Sequence, residues 1–242
     1  MSHAWEEEAE NWIRWARTPG HDAYWYYAPQ FFHDVVPPPS GLTLEVGCGE
    51  GRVSRDLRDR GHDVIAIDAA PTLVQHAVGA DPASRYLIAD AEALPFPPSV
   101  FDLVVAYNSL MDVDDMPRVV AEAARVLRSR GRFCICVTHP VNDAGRFESK
   151  DADARFTIEG SYYGRRRFDE KFEHDGLEMT FHGWMYPLEA YTLALEEARF
   201  VIEVMREPQP DPHAVTHHPS LAAWRRIPMF LFLLAQKRDD AG

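Results

Sequence analysis

Between Leu42 and Arg52 the chain reads Leu-Thr-Leu-Glu-Val-Gly-Cys-Gly-Glu-Gly-Arg, a short apolar run that breaks directly into alternating glycines. This pattern predicts a strand turning sharply into a helix. Glycine at Gly47, Gly49 and Gly51 permits positive φ and lets a ligand approach main-chain N–H groups that a Cβ would shield. The run Asp56 to Arg60, closed by Gly61, reads as the following helix with its C-terminal glycine stop. Val64-Ile65-Ala66-Ile67 is then a second apolar strand ending on Asp68.

The acid falls about 20 residues beyond the first glycine, so strand, glycine turn, helix, strand and acid stand in the order of a nucleotide-binding doubly wound sheet. An acid at that place can take two ribose hydroxyls. The glycine spacing then discriminates between nucleotides. A nicotinamide or flavin fingerprint needs Gly-x-Gly-x-x-Gly above a pyrophosphate, and the third glycine position is Arg52. What stands instead is Glu45-x-Gly47-x-Gly49-x-Gly51, and in this the chain resembles the class I S-adenosylmethionine-dependent methyltransferases. An adenosyl ligand without a pyrophosphate fits the missing glycine.

Three further segments extend the resemblance. Leu87 to Phe96 looks like the family's third-strand end, which implies that the Asp90 side chain takes the adenine amino group and the Ala91 N–H meets a ring nitrogen. Ser99 to Ala106 reads as a buried fourth strand. Ala121 to Leu127 resembles the helix before the family's Pro-Gly-Gly turn, here reduced to Ser129-Arg130-Gly131. The implied cofactor is S-adenosyl-L-methionine, held by Glu45, Gly47, Cys48, Gly49, Asp68, Ala69, Asp90, Ala91 and Asn108, with Tyr107 and Leu110 flanking the adenine. The resemblance is specific from Gly41 to about Thr138 and looser from Met185 to Arg206.

The implied fold is α/β: a Rossmann-like, doubly wound seven-stranded sheet, mostly parallel with an antiparallel last strand. The 242 residues suit one such domain, and no linker argues for two. Residues 1–40 read as an N-terminal lid or cap, 41–138 as the cofactor-binding core, 139–185 as a substrate-pocket insertion and 186–242 as the C-terminal part of the sheet. In the first part Trp5, Trp12, Trp15 and Ala16 share one side of a helix, with its glutamates toward water. Tyr24 to Tyr27 then lead to Phe31-Phe32, and Pro37-Pro38-Pro39 stiffens the approach to the first strand. These aromatics suit either core packing or a lid over a methyl-transfer pocket.

A net charge of −13, with 38 acids against 25 bases, disfavours phosphate-tracking surfaces. A small-molecule acceptor is therefore expected and a nucleic acid is not; Arg165-Arg166-Arg167 reads as a solvated strand edge. Three cysteines, with Cys134 and Cys136 two apart on an apolar strand, predict no disulfide and a reducing, cytoplasmic setting. The N-terminus lacks a signal-peptide pattern, and Met229 to Ala235 is too short to span a bilayer, so no membrane association is expected. The sequence leaves a homo-oligomer open.

Methyl transfer asks mainly for positioning, and a base is optional. His139 is the first candidate base because it lies just past the carboxyl end of the apolar strand Cys134 to Val137, where open sheets place ligands; a structural, backbone-satisfied histidine is the competing account. His182 is the second candidate, against a surface histidine on a strand. No metal is expected: His213, His217 and His218 would share a face if helical, but Pro208, Pro210, Pro212 and Pro219 argue against a helix. Asp112, Asp114 and Asp115 read as capping charge before a helix. Two rival functions remain, a non-catalytic adenosyl-binding or scaffold protein and a nucleotide-dependent oxidoreductase.

Overall fold

The alternation of buried and half-buried strands with amphipathic helices builds one central sheet, and the computed structural model describes residues 2–239 of it and its attachments. Two helices, α1 (Ser2–Arg17) and α2 (Tyr24–Asp34), precede the sheet. The core then alternates β1 (Leu42–Val46), α3 (Arg52–Asp59), β2 (Asp63–Asp68), α4 (Pro71–Ala80), β3 (Arg85–Ile88), β4 (Phe101–Tyr107), α5 (Met116–Val126) and β5 (Leu127–Thr138). An insertion follows: α6 (Pro140–Asp143), β6 (Gly145–Phe147), β7 (Phe156–Ile158), β8 (Arg166–His174) and β9 (Leu177–Met185). The chain returns through α7 (Leu188–Glu197), β10 (Phe200–Arg206), α8 (Pro212–His217) and β11 (Phe230–Lys237).

Seven strands pair in the order β10-β11-β5-β4-β1-β2-β3. Pairs β1–β2, β1–β4, β2–β3 and β4–β5 are parallel, and β11 runs antiparallel between β5 and β10. The expected fold is the observed one. Strand order reverses at β1 and β4, and there the carboxyl ends of neighbouring strands open a crevice. Strands in the middle read as continuous apolar runs because both faces are covered. One face packs Val104, Phe133 and Leu231 with α5 and α7; the other packs Leu103, Cys134 and Phe232 under α2 through Tyr27 and Phe31. Phe31 meets Phe232 and Tyr107 edge to face, at 5.2 Å and 5.0 Å.

Four local expectations fail. The turn expected at Ser129-Arg130-Gly131 is absorbed into β5: β5 advances from Leu127 to Arg132 while β4 advances only from Phe101 to Leu103, and Arg130 takes φ +61°. The prolines do not prevent α8, because Pro212 occupies the first turn, where its missing N–H costs nothing, and Asp211 caps it by accepting from the His213 N–H at 2.7 Å. Leu110, expected beside the adenine, is fully buried in the core and lies outside the cavity lining. The glutamates of α1 do not all face water: Glu6 accepts from the Thr72 hydroxyl at 2.7 Å and its N–H at 3.1 Å, tying α1 to α4.

The structure also reassigns the role of the first glycine. Gly47 has φ +72°, and a Cβ there would overlap the Ser109 side chain on the loop after β4. Ser109 is buried and donates its hydroxyl to the Val46 carbonyl at 2.7 Å, so the turn and this loop are fitted to each other before any ligand is involved. Gly47→Ala is expected to destabilise the fold by roughly 1–3 kcal/mol in urea unfolding, from the backbone conformation and the overlap together. Adding Ser109→Gly should recover the steric part. An unchanged midpoint in Gly47→Ala would show that the turn is not constrained in this way.

Candidate functional site

The floor of the crevice is the glycine turn. The N–H groups of Gly47 and Cys48 both donate to the Ile67 carbonyl at 2.9 Å, drawing the end of β1 against the end of β2. At that end Asp68 accepts from the Gly49 N–H on one carboxylate oxygen, at 2.7 Å, and from the Ala70 N–H on the other, at 2.9 Å. Burial raises the Asp68 pKa, and these backbone donors oppose the rise. Each oxygen keeps a lone pair for a further donor. Glu45 lies beneath, 1% exposed, and accepts the Ser54 hydroxyl; burial pushes its pKa up to about 8 against that hydrogen bond.

Around this floor the structure gathers most of the predicted residues. Glu45, Gly47, Cys48, Gly49, Asp68, Ala69, Asp90, Ala91 and Asn108 all line one cavity of about 1490 Å³. Asp90, just past β3, is exposed and accepts the Glu92 N–H at 2.9 Å. Asn108, just past β4, has φ +50° and receives the Cys136 thiol at 3.2 Å on its side-chain oxygen. Tyr107 also lines the cavity but is 7% exposed, with its ring against Tyr24 and Phe31.

The N-terminal segment forms one wall and is bolted to the turn by charge. Glu50, 1% exposed, lies between Arg17 at 2.7 Å and Arg55 at 2.8 Å. Arg52, first residue of α3, donates to Asp22 at 2.6 Å and stacks 4.1 Å from the Tyr24 ring centroid and 5.0 Å from that of Trp12. Burial raises the Asp22 pKa while Arg52 pulls it down. A Cβ on Gly49 would lie 3.1 Å from the Trp12 ring nitrogen, so this glycine makes room for the wall. Trp12 and Trp15 meet Phe181 of β9 edge to face at 6.2 Å and 5.7 Å, closing the wall onto the insertion.

The insertion supplies the opposite wall. His182 lines the cavity and pairs with Asp169 across the β8–β9 hairpin, Nδ1 to Oδ1 at 2.6 Å. Arg167 and His182 together hold the Asp169 carboxyl down at about 2. His139 is placed differently from the sequence expectation. It is 5% exposed and is not among the residues lining the cavity. Its Nδ1 caps α6 by accepting the Val141 N–H at 3.1 Å, which puts the proton on Nε2, 3.0 Å from Glu207. Burial lowers its pKa against the pull of that carboxylate. Both ring nitrogens are engaged in structure, so the first candidate base is corrected to a cap, and of the two candidate histidines it is His182 that lines the cavity.

Among the acids that line the cavity, Asp112 and Asp143 are buried with strongly raised pKa values and are not site candidates from sequence. Asp112 was grouped with Asp114 and Asp115 as capping charge, but only Asp115 caps α5, accepting the Arg118 N–H at 3.0 Å. Asp112 lines the cavity against Gly183, and burial raises its pKa well above the carboxylate range. Asp143, at the end of α6, also lines the cavity and is pushed by burial to about 7, with Arg166 opposing. Their positions just past the carboxyl ends of β4 and β5 were the available signal.

The family match falls on the strands that build this crevice. Residues 44–135 match a family model described as a methyltransferase domain. Over 88 residues the chain is 39% identical to the malonyl-[acyl-carrier protein] O-methyltransferase of Salmonella typhimurium, covering 36% of this chain and 35% of that protein. Over 93 residues it is 34% identical to the mitochondrial arginine-hydroxylase NDUFAF5 of Rattus norvegicus, covering 38% of this chain and 27% of that protein. The matches thus span about a third of these relatives' length or less. An S-adenosylmethionine dependent methyltransferase from Mesorhizobium loti superposes with a TM-score of 0.72 at 24% identity, covering 89% of this chain and 98% of that one; it is similar in fold.

The proton on Glu45 makes a measurable prediction. The folded chain keeps it up to about 8, whereas an unfolded carboxyl releases it near about 4.3. Its stabilisation is therefore complete below the unfolded value and is lost progressively as pH rises to and through about 8. Glu45→Gln, which cannot ionise, is expected to flatten the fall in thermal midpoint between pH 5 and 8 relative to the parent. Parallel pH profiles would show that Glu45 titrates normally.

Proposed function

We propose that the chain, whose residues 44–135 match a methyltransferase domain, is a class I S-adenosylmethionine-dependent methyltransferase that transfers a methyl group from S-adenosylmethionine to oxygen, nitrogen or carbon of a small acceptor bound in the same cavity. One observation carries this reading. The cavity, at about 1490 Å³, exceeds the roughly 300–1,000 Å³ of a typical single-ligand pocket, which supports two ligands side by side. The scaffold alternative requires the N-terminal aromatics to fill the acceptor space; here Trp5, Trp12 and Trp15 line the cavity and leave it open.

The residues present fit the cofactor. Asp68 offers two carboxylate oxygens with remaining lone pairs at the end of β2 for ribose hydroxyls, and Asp90 offers an exposed carboxylate at the end of β3 for an adenine amino group. When bound, the sulfonium supplies an already activated methyl group. The chain's own work is then orientation and exclusion of water. Trp12, Trp15 and Phe181 line the crevice, and π faces suit a cationic neighbour. His182, oriented by Asp169, is positioned to accept a proton from an acceptor hydroxyl, worth about 10²–10⁴ in rate where a base is needed.

The acceptor side rests on the insertion, which lies beyond the matched residues 44–135. A carrier-bound acyl acceptor is the second reading, favoured by the Salmonella relative's name. The rat relative's name points to other chemistry, which makes detection of S-adenosylhomocysteine the discriminating assay. Among the described residues no helix is long and apolar enough to cross a membrane.

Incubation with S-adenosylmethionine and a panel of small metabolites and acyl-carrier conjugates is expected to release S-adenosylhomocysteine with a small acceptor; release only with carrier conjugates would favour the second reading, and none with either would count against methyl transfer. Hydrogen exchange is expected to show amides of residues 5–32 gaining more protection than those of β11 when S-adenosylhomocysteine is added. Equal protection with and without it would leave the N-terminal aromatics as ordinary packing.

A further inference from the structure

At the rim of the cavity, the loop between α1 and α2 meets the tip of the β8–β9 hairpin. His21 from the loop lies against His174 and Asp175 from the hairpin, and one ligating atom from each of the three comes within 4.8 Å of the others. His21 is 7% exposed, yet neither of its ring nitrogens has a hydrogen-bond partner. Buried imidazoles ordinarily satisfy at least one nitrogen, and one with both left over marks a place where something else binds. The ring is not loose: Trp15 packs edge-on against it at 4.3 Å, and the His174 ring lies 4.7 Å away.

We propose that His21, His174 and Asp175 form a binding site for a divalent transition-metal ion, zinc-like in preference, which clasps the N-terminal segment to the β8–β9 hairpin. Two imidazoles and a carboxylate are a nitrogen and oxygen donor set that suits zinc, with a fourth tetrahedral position open to water. Ligand atoms around such an ion stand about 3.3 Å apart, from metal–nitrogen bonds of about 2.0–2.1 Å, so the 4.8 Å spread asks for a small closure. The hairpin side can supply it. His174 and Asp175 are exposed, and Asp175 with Gly176 forms a two-residue turn with φ of +48° and +77°, a tight geometry that fixes where both side chains start. His21 is held in place, and the exposed pair rotates to meet it.

The location gives the ion a role. His21 adjoins Asp22, the partner of Arg52 on α3, and His21 and His174 both line the cavity. An ion here joins the wall built on the glycine turn to the wall built on the insertion, at the point where the two walls meet. The hairpin also meets α1 through the aromatic contacts of Phe181, the Trp15 ring 6.3 Å from that of His174, and a long hydrogen bond from the Thr180 N–H to Glu8 at 3.3 Å.

Metal-free, tag-free full-length protein titrated with Co²⁺ is expected to bind one ion per chain, with the intense visible absorption of a tetrahedral site, and to lose that signal to Zn²⁺. Trp15 fluorescence should change over the same titration. His174→Ala with Asp175→Asn, both in an exposed turn whose alteration leaves the core intact, should weaken binding by at least about tenfold. The exposed His213 and His217 of α8, whose Nε2 atoms lie 3.3 Å apart, are the competing site, and His213→Ala with His217→Ala should leave Co²⁺ binding unchanged. The proposal is overturned if the hairpin variant binds as the parent does, if the α8 variant abolishes binding, or if the parent shows no stoichiometric site.

Discussion

The carboxylate of Asp68 is the fixed point of this molecule. With one oxygen on the Gly49 N–H and the other on the Ala70 N–H, it ties the glycine turn after β1 to the start of α4 after β2. The paired bonds from Gly47 and Cys48 to the Ile67 carbonyl act beside it. Charge-assisted hydrogen bonds of this kind are about twice as strong as neutral ones, and here they set the shape of the crevice floor while leaving lone pairs directed at whatever enters.

The N-terminal wall hangs from the same turn. Glu50, between the second and third glycines, takes Arg17 of α1, and Arg52, just after the third, takes Asp22. The side chain that breaks the dinucleotide fingerprint thus has a positive use: Arg52 stacks on both Trp12 and Tyr24 and pairs with Asp22. Any displacement of the turn is transmitted to the aromatic wall through these pairs, which gives a physical route by which a ligand on the floor orders the cover above it.

What could be read from sequence was whatever depends on near neighbours. The glycine turn and Asp68 at the end of the next strand follow from local apolar periodicity and glycine spacing, while Asp90 and the full strand order come from the family resemblance. Some of the differences involve distant partners and others a local backbone choice. His139 has the position of a base in sequence, but Glu207, 68 residues away, takes its Nε2. Asp112 looked like a cap because its place against Gly183 requires the hairpin to fold back. Pro212 was read as a helix breaker when its position in the first turn made it a helix starter. The bulge in β5 replaced a turn because Arg130 accepts positive φ, which composition alone does not announce. The pairing of His21 with the hairpin tip likewise joins positions that no local pattern connects.

The central claim is that this crevice is built for an adenosyl ligand without a pyrophosphate, held by Asp68. Calorimetric titration with S-adenosylhomocysteine tests it most directly. The account predicts one site of micromolar affinity, no binding of nicotinamide dinucleotides, and a loss of roughly 1.5–3 kcal/mol in Asp68→Ala as the charged hydrogen-bond acceptor is removed. Binding of a dinucleotide, or S-adenosylhomocysteine affinity unchanged in that variant, would contradict it.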